Sequence, residues 1–201
     1  MWLVRHGETT WNATGLVQGQ NDSSTLTTHG CHQSVMLVDR LRGVPVTAIY
    51  ASDLGRARQT AVPLAEHLGL TVLTDRRLRE RCFGVFEGGP VEALHPGVTG
   101  HGADGVIDAD ARPEGGESLN DVQHRVGDFV EHVRGIAHHG DVVVVAHGGS
   151  VRAFGNYCAG RSVDQMPWDV VANASVRPVL LPPVAPTDRQ ASPVLRPAVA
   201  S

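Results

Sequence analysis

Asp141-Val142-Val143-Val144-Val145-Ala146-His147-Gly148-Gly149 decides the fold. Four consecutive valines and an alanine leave no polar position for a solvent face. The run Val142–Ala146 therefore reads as a strand buried on both sides, the setting of a central strand in a parallel sheet. It stops at a histidine and two glycines, whose backbone amides are free to approach a ligand. A helix from Ser150 to Cys158 follows. Far away in sequence, Trp2-Leu3-Val4 is a shorter apolar run, and it stops at Arg5-His6-Gly7.

The intervening chain alternates the same two element types. Thr27 caps a helix over 29–42, with Cys31, Val35, Val38 and Leu41 on one face. Val46–Ala51 reads as a strand. Ser52 then caps a helix to Leu68, with Leu54, Ala57, Ala61, Leu64, Ala65 and Leu68 as its inner stripe, Pro63 as a kink, and Gly69 as its stop. Leu70–Leu73 is a third short strand. Ser118 with Asp121 opens the clearest helix, whose apolar face is Leu119, Val122, Val126, Phe129, Val130, Val133 and Ile136. Val170–Leu181 adds one or two strands. Strands alternating with helices predict an α/β fold: a three-layer α/β/α sandwich with a mostly parallel central sheet. Ligands of such sheets bind off the carboxyl ends of the strands. If the strands before His6 and His147 are neighbours, the two histidines meet at one site.

Composition bounds the rest. The chain has 201 residues, 41% hydrophobic, 19% charged and 4% aromatic, enough for one domain with a core of Val, Leu and Ala. That domain is assigned to residues 1–181. Residues 182–201, with five prolines among Ala, Ser and Arg, read as a disordered tail. The net charge of −4 argues against a nucleic-acid partner. No apolar run approaches the ~20 residues of a membrane span, and no basic region precedes the first apolar stretch, so neither membrane nor secretion is expected. Cys31, Cys82 and Cys158 are widely spaced without a CxxC, which disfavours a disulfide framework or structural zinc and places the chain in the cytoplasm. All 17 basic residues are Arg, which excludes Schiff-base and P-loop lysine chemistry.

Arg5, His6, Arg56 on the first turn of its helix, and His147 form a cationic cluster in an acidic chain. Such a cluster suits a phosphate, because guanidinium groups grip phosphate oxygens bidentately, and a histidine held against phosphorus can act as a nucleophile. Arg58 points elsewhere. A proton donor for the leaving oxygen is also required. Glu80 is the leading carboxylate and Glu87 the second. Gln18-Gly19 is placed at the substrate entrance. Residues 84–116 form the longest irregular connection, the usual place for a binding loop; its isolated His95 and His101 receive no role.

Five segments, in order, carry a resemblance. Leu3-Val4-Arg5-His6-Gly7-Glu8-Thr9-Thr10-Trp11-Asn12 resembles the signature of the histidine phosphatase superfamily, also called the phosphoglycerate mutase-like family. Leu26-Thr27-Thr28-His29-Gly30, Ser52-Asp53-Leu54-Gly55-Arg56-Ala57-Arg58-Gln59-Thr60-Ala61, Leu78-Arg79-Glu80-Arg81-Cys82-Phe83-Gly84-Val85-Phe86-Glu87-Gly88 and Val145-Ala146-His147-Gly148-Gly149 resemble its further motifs. The resemblance they carry covers residues 1–175. The resemblance implies that His6 attacks phosphorus to form a phosphohistidine, that Arg5, Arg56 and His147 surround the phosphate, that Asn12 touches it, and that Glu80 protonates the departing alcohol and then deprotonates water. It implies no metal and no organic cofactor, with a small phosphorylated metabolite as partner. The family contains both monomers and dimers, so a homodimer stays open.

The family also contains hydrolases and mutases. Its mutases resemble one another in a basic insertion that holds a bisphosphorylated ligand. Residues 88–111 here contain no Arg or Lys and offer Glu92, Asp104, Asp108 and Asp110 instead. A phosphatase acting on a small monoester (sugar, cyclitol, nucleoside or phosphoglycerate-type) is therefore expected. The acidic loop favours a hydroxyl- or amine-bearing leaving group over one carrying a carboxylate or second phosphate. A mutase-type phosphoryl transferase and a non-catalytic phosphate-binding module are the alternatives.

Overall fold

The computed structural model describes residues 1–102, 104–134 and 140–181. In chain order these form β1 (Trp2–Arg5), α1 (Thr10–Ala13), α2 (Thr28–Arg40), β2 (Val46–Ala51), α3 (Gly55–Leu68), β3 (Val72–Thr74), α4 (Pro96–Thr99), α5 (Leu119–Arg134), β4 (Asp141–Ala146), α6 (Gly148–Cys158) and β5 (Val176–Pro178), with short 3-10 turns between. The strand order is β3-β2-β4-β1-β5, so the valine strand is central. Four strands run parallel, and β5 closes the β1 edge antiparallel, with Leu3 opposite Arg177.

The sheet separates two apolar layers. Val142, Val144 and Ala146 point with Leu3 toward Val126, Phe129, Val130 and Phe154 of α5 and α6. Val143 and Val145 point with Val4 and Ile49 toward Leu37, Ala57, Ala61 and Leu64 of α2 and α3. Both faces of β4 are therefore sealed, which is why its sequence lacks alternation. Each fully buried aliphatic side chain of this kind contributes about 1.5–3 kcal/mol.

Three local expectations change. On α2, Cys31 and Val35 are exposed and Val38 is partly buried; Gly30, Ser34 and Leu37 face the sheet, with Leu41 just beyond. The inward stripe holds small residues because the helix start is pressed onto the chain after β1: a Cβ on Gly30 would stand 2.0 Å from the Glu8 carbonyl oxygen. On α3, Leu54 rather than Ser52 is the N-cap, and it makes no side-chain cap bond. Asp22, from a distant loop, accepts from the Gly55 amide at 2.6 Å instead. Leu68 is partly exposed at the end of α3. The third strand begins at Val72, two residues later than read, because Leu70 is spent closing the helix, its amide donating to the Ala65 carbonyl. Thr27, Gly69 and the Ser118/Asp121 pair cap as expected. Pro63 lies inside α3, which continues through it. Ile136, His138, His139 and the 182–201 tail lie outside the described residues.

The long connection is held by one cation. Buried Arg81 donates to the carbonyls of Glu117 (2.7 Å), Thr99 (2.6 Å), Val98 (2.8 Å) and Ala111 (2.8 Å). Arg81→Met keeps the volume but strips four carbonyls of a donor, two or more of which stay shielded from water. Unfolding in urea is expected to show a loss of about 3 kcal/mol or more, with faster proteolysis between residues 91 and 111.

Candidate active site

β1 and β4 are hydrogen-bonded neighbours with Arg5 opposite Ala146, so their exits bring His6 and His147 together. The His6 amide donates to the Ala146 carbonyl at 2.9 Å, and the two ring centroids lie 5.1 Å apart. His6 Nδ1 is 2.7 Å from the Gly7 carbonyl oxygen. A carbonyl can only accept, so Nδ1 carries the proton and the lone pair of neutral His6 is on Nε2. Burial, then the charges of Arg56 and Arg5, hold the His6 pKa well below the usual imidazole range, against a smaller opposing effect of the Gly7 bond. Nε2 thus carries an unprotonated lone pair at neutral pH. Gly7 is itself anchored: its amide donates to Thr60 Oγ1, which donates onward to the Arg56 carbonyl.

His147 is fully buried beside His6, and neither ring nitrogen has a hydrogen-bond partner among the described residues. Burial and the neighbouring Arg56 depress its pKa as well. It stays off the cavity wall that Arg5, His6 and Arg56 form. Arg56 is 1% exposed. Its Nη1 and Nη2 donate to the carbonyls of Asn21 (2.9 Å) and Gly19 (2.7 Å), leaving Nε unpaired. Arg5 donates from Nη1 to the Val171 carbonyl and likewise keeps an unpaired Nε. One buried and one half-buried guanidinium with unspent donors beside an unprotonated ring nitrogen are the electrostatics an anion requires. Arg58 is exposed on the outer side of α3.

Glu80 stands opposite. Its Oε2 accepts from the Gly149 amide (3.0 Å) and its Oε1 from the Arg81 amide (2.8 Å). The Gly149 amide is therefore occupied by the carboxylate rather than free for a ligand. A Cβ at Gly149 would lie 2.3 Å from Glu80 Oε1, so a side chain there would push the carboxylate out of this position. Among the described residues, neither flanking arginine side chain bonds to Glu80: Arg79 is bidentate with Asp53, and the Arg81 guanidinium is spent on backbone carbonyls. Glu87 shapes the loop, its Oε1 accepting from the amides of Gln20 and Phe83. Gly19 faces that carboxylate at φ 49°, where any Cβ would collide with it. The small cavity of about 160 Å³ is lined by Arg5, His6, Asn12, Gln18, Gly19, Arg56 and Glu80. Gly148 lines an adjoining one with Arg5 and Glu80.

Asn12 has a defined orientation. Its Oδ1 accepts from the Thr9 amide, Thr9 Oγ1 and Asn173 Nδ2, leaving its own Nδ2 as a donor for the cavity. Asn173 also donates to the His6 carbonyl. Nothing periodic marks Asn173 in the sequence. The same holds for Arg125, which donates to the carbonyls of Arg77, Arg79 and Glu80 and pairs with Glu117, fixing the segment that presents Glu80. The acidic residues of the long loop do not reach the cavities around Glu80. Glu92, Asp104, Asp108 and Asp110 are exposed, and the three aspartates accept from local groups. They lend no support to a hydroxylated leaving group. Among the described residues, no three His, Cys, Asp or Glu side chains are placed to hold a metal ion, and no helix is long and apolar enough to cross a membrane.

The depressed histidines make stability pH-dependent. In the unfolded chain both titrate near 6.5, whereas in the fold they stay neutral well below that. As pH falls below 6.5 the unfolded state gains protons that the native state does not, so stability is lost. The slope is up to about 1.4 kcal/mol per pH unit for each histidine. Denaturant titrations between pH 7 and 5 are expected to show it, and His147→Asn to flatten it.

This geometry agrees with what the chain is similar to. Residues 1–183 match the family model of the histidine phosphatase superfamily (branch 1), and the protein belongs to that superfamily. Its members include phosphatases and mutases. A mycobacterial glucosyl-3-phosphoglycerate phosphatase, solved with VO3, superposes with a TM-score of 0.76 at 33% identity, covering 88% of this chain and 90% of that one. An Escherichia coli protein described as a putative alpha-ribazole-5'-P phosphatase gives 0.72 at 27% identity, over 87% and 86% of the two chains. Among curated proteins, a probable phosphoglycerate mutase GpmB of Yersinia pestis is 49% identical over 96 residues. That match spans 48% of this chain and 44% of the relative's length.

Proposed function

We propose that the protein is a phosphatase that hydrolyses a small phosphate monoester through a phosphorylated His6. The observation that carries this is the tethered His6 ring, its Nδ1 proton held by Gly7 and its Nε2 lone pair left beside two guanidiniums that each keep an unpaired Nε, with a separate carboxylate across the cavity. In the first step Nε2 bonds to phosphorus, the ester P–O bond breaks, and protonated Glu80 gives its proton to the leaving oxygen. In the second step Glu80, now a carboxylate, takes a proton from water, whose oxygen displaces Nε2 from phosphorus. The cycle returns both groups to their starting states. Arg5, Arg56 and Asn12 Nδ2 stabilise the oxygens of the transferring group, and His147 backs His6. The side chains present supply every proton and charge these steps use, so activity in the presence of a chelator is expected.

Both structural relatives named above are described as phosphatases, which supports hydrolysis. The mutase reading is favoured by the name of the curated relative. Against it stand the lack of Arg and Lys over residues 88–111 and the commitment of Arg81 to four carbonyls, which leave that loop no cation for a bisphosphate. Phosphate release from a panel of monoesters, beside phosphoglycerate isomerisation with 2,3-bisphosphoglycerate added, separates the two. Stoichiometric inorganic phosphate with negligible isomerisation supports the phosphatase. Faster isomerisation than release reverses the reading, and no release even from p-nitrophenyl phosphate leaves a binding module.

Glu80→Gln tests the acid. An alkoxide needs a proton as it leaves and a nitrophenolate does not, and such assistance is worth about 10²–10⁴-fold. The phosphorylation step on a sugar phosphate is expected to fall by roughly that factor, and on p-nitrophenyl phosphate by far less, in burst kinetics. Equal losses on both substrates would leave Glu80 a positioning group.

A further inference from the structure

Beside Glu80, on the side away from His6, lies a second cavity of about 230 Å³. Its wall is mainly apolar, built from Phe83, Leu94, Leu119, Val122, Met166 and Trp168. Two cations share that wall. Arg81 is saturated by carbonyls. Arg152, from the second turn of α6, is not: among the described residues its only hydrogen bond runs from Nη1 to the Asp169 carbonyl at 3.2 Å. Among the described residues, its Nε is sealed from water without a partner and no carboxylate lies within ion-pair distance. The guanidinium rests 4.7 Å from the centroid of the Trp168 ring, which also stacks at 4.5 Å on His101 of the long loop. Arg152 also lines the adjoining cavity with Arg5 and Gly148. It is thus a held, half-buried cation whose accessible Nη2 is unpaired among the described residues, on the same cavity wall as Glu80.

We propose that this cavity takes the leaving group of the substrate, and that the leaving group is an apolar-bodied acid whose carboxylate pairs with the free Nη2 of Arg152. The inference rests on the phosphatase reading of the site. A carboxylate oxygen accepts from Nη2 in a charge-assisted bond, and one negative charge matches the one guanidinium. A phosphate dianion would need a second unspent cation, and Arg81 is not one. The sequence weighed anionic leaving groups against residues 88–111 alone and found no welcome there; the cation comes instead from α6.

A matched pair of substrates tests this: para-phosphorylated phenylpropanoate and its carboxamide, which leave as phenols of nearly equal acidity and differ in the terminal charge. Wild type is expected to favour the acid by about 10- to 100-fold in kcat/KM, the size of a shielded charge-assisted pair. Arg152→Gln is expected to bring the ratio close to unity, and Arg152→Lys to leave it in between, retaining charge without the fork. Equal kcat/KM for the pair in wild type, or an acid preference that survives Arg152→Gln, overturns the proposal while leaving the phosphatase reading intact. If neither ester turns over and p-nitrophenyl phosphate and the monoester panel release no phosphate either, the phosphatase reading fails. Calorimetric binding of the same two esters then decides the proposal separately: an acid preference lost in Arg152→Gln supports it, and no preference overturns it.

Discussion

His6→Ala is expected to lower turnover of every phosphate monoester by at least about 10⁴-fold, the scale seen when a covalent nucleophile is removed. Nε2 is the atom to which phosphorus would bond, and nothing else in the cavity offers a comparable neutral lone pair. His147 has unpaired nitrogens but stays off the cavity wall. The fold is expected to survive. His6 makes one side-chain hydrogen bond, to the carbonyl of the next residue, and its backbone stays tied to Ala146, Ala174 and Asn173. Circular dichroism and urea unfolding close to wild type, together with lost turnover, are the expected pair of results. A variant retaining more than about 1% of turnover would show that another group attacks phosphorus.

Arg56→Met is expected to lose both activity and stability, by separable routes. Loss of one preorganised donor to a transferring group typically costs about 10²–10³-fold in rate. The same substitution leaves the Gly19 and Asn21 carbonyls without their donors, worth about 1–3 kcal/mol for each that remains shielded from water. Those two carbonyls belong to the loop that carries Gln18 and Gly19 into the cavity, so KM is expected to rise along with the fall in kcat. Arg56→Lys keeps the charge but cannot span both carbonyls and a ligand at once; stability is expected to recover more than kcat. Arg58→Ala, two residues along on the exposed side of α3, is the control, with effects within a few-fold. If the two alanine or methionine variants behave alike, Arg56 has no special place in the site.

What was legible in the sequence follows the reach of each interaction. The buried valine strand and the two strand exits that carry His6 and His147 are local patterns, and neighbouring strands then require the histidines to meet. Glycine at 149 is legible as a motif, but its physical reason, the approach of Glu80, is a contact across 69 residues. The inner face of α2 was misread because periodicity rewards large apolar residues, whereas this interface selects for small ones under a close backbone approach. Asp22, Asn173, Arg125 and Arg152 were not legible. Each acts on backbone or side chains far along the chain, and polar residues in loops or on half-buried helix faces leave no periodic trace. The acidic loop misled for a related reason: composition reports charge, not the direction in which side chains point.

The most direct measurement is to stop the reaction in alkali within its first turnovers and map the phosphate by mass spectrometry. An acid-labile, alkali-stable phosphate on His6, formed as quickly as the first alcohol is released and absent in His6→Ala, is the expected result. Phosphate found on His147 or on a serine, or a first turnover that leaves no protein-bound phosphate while the alcohol appears in a burst, would contradict the assignment of His6 as the nucleophile.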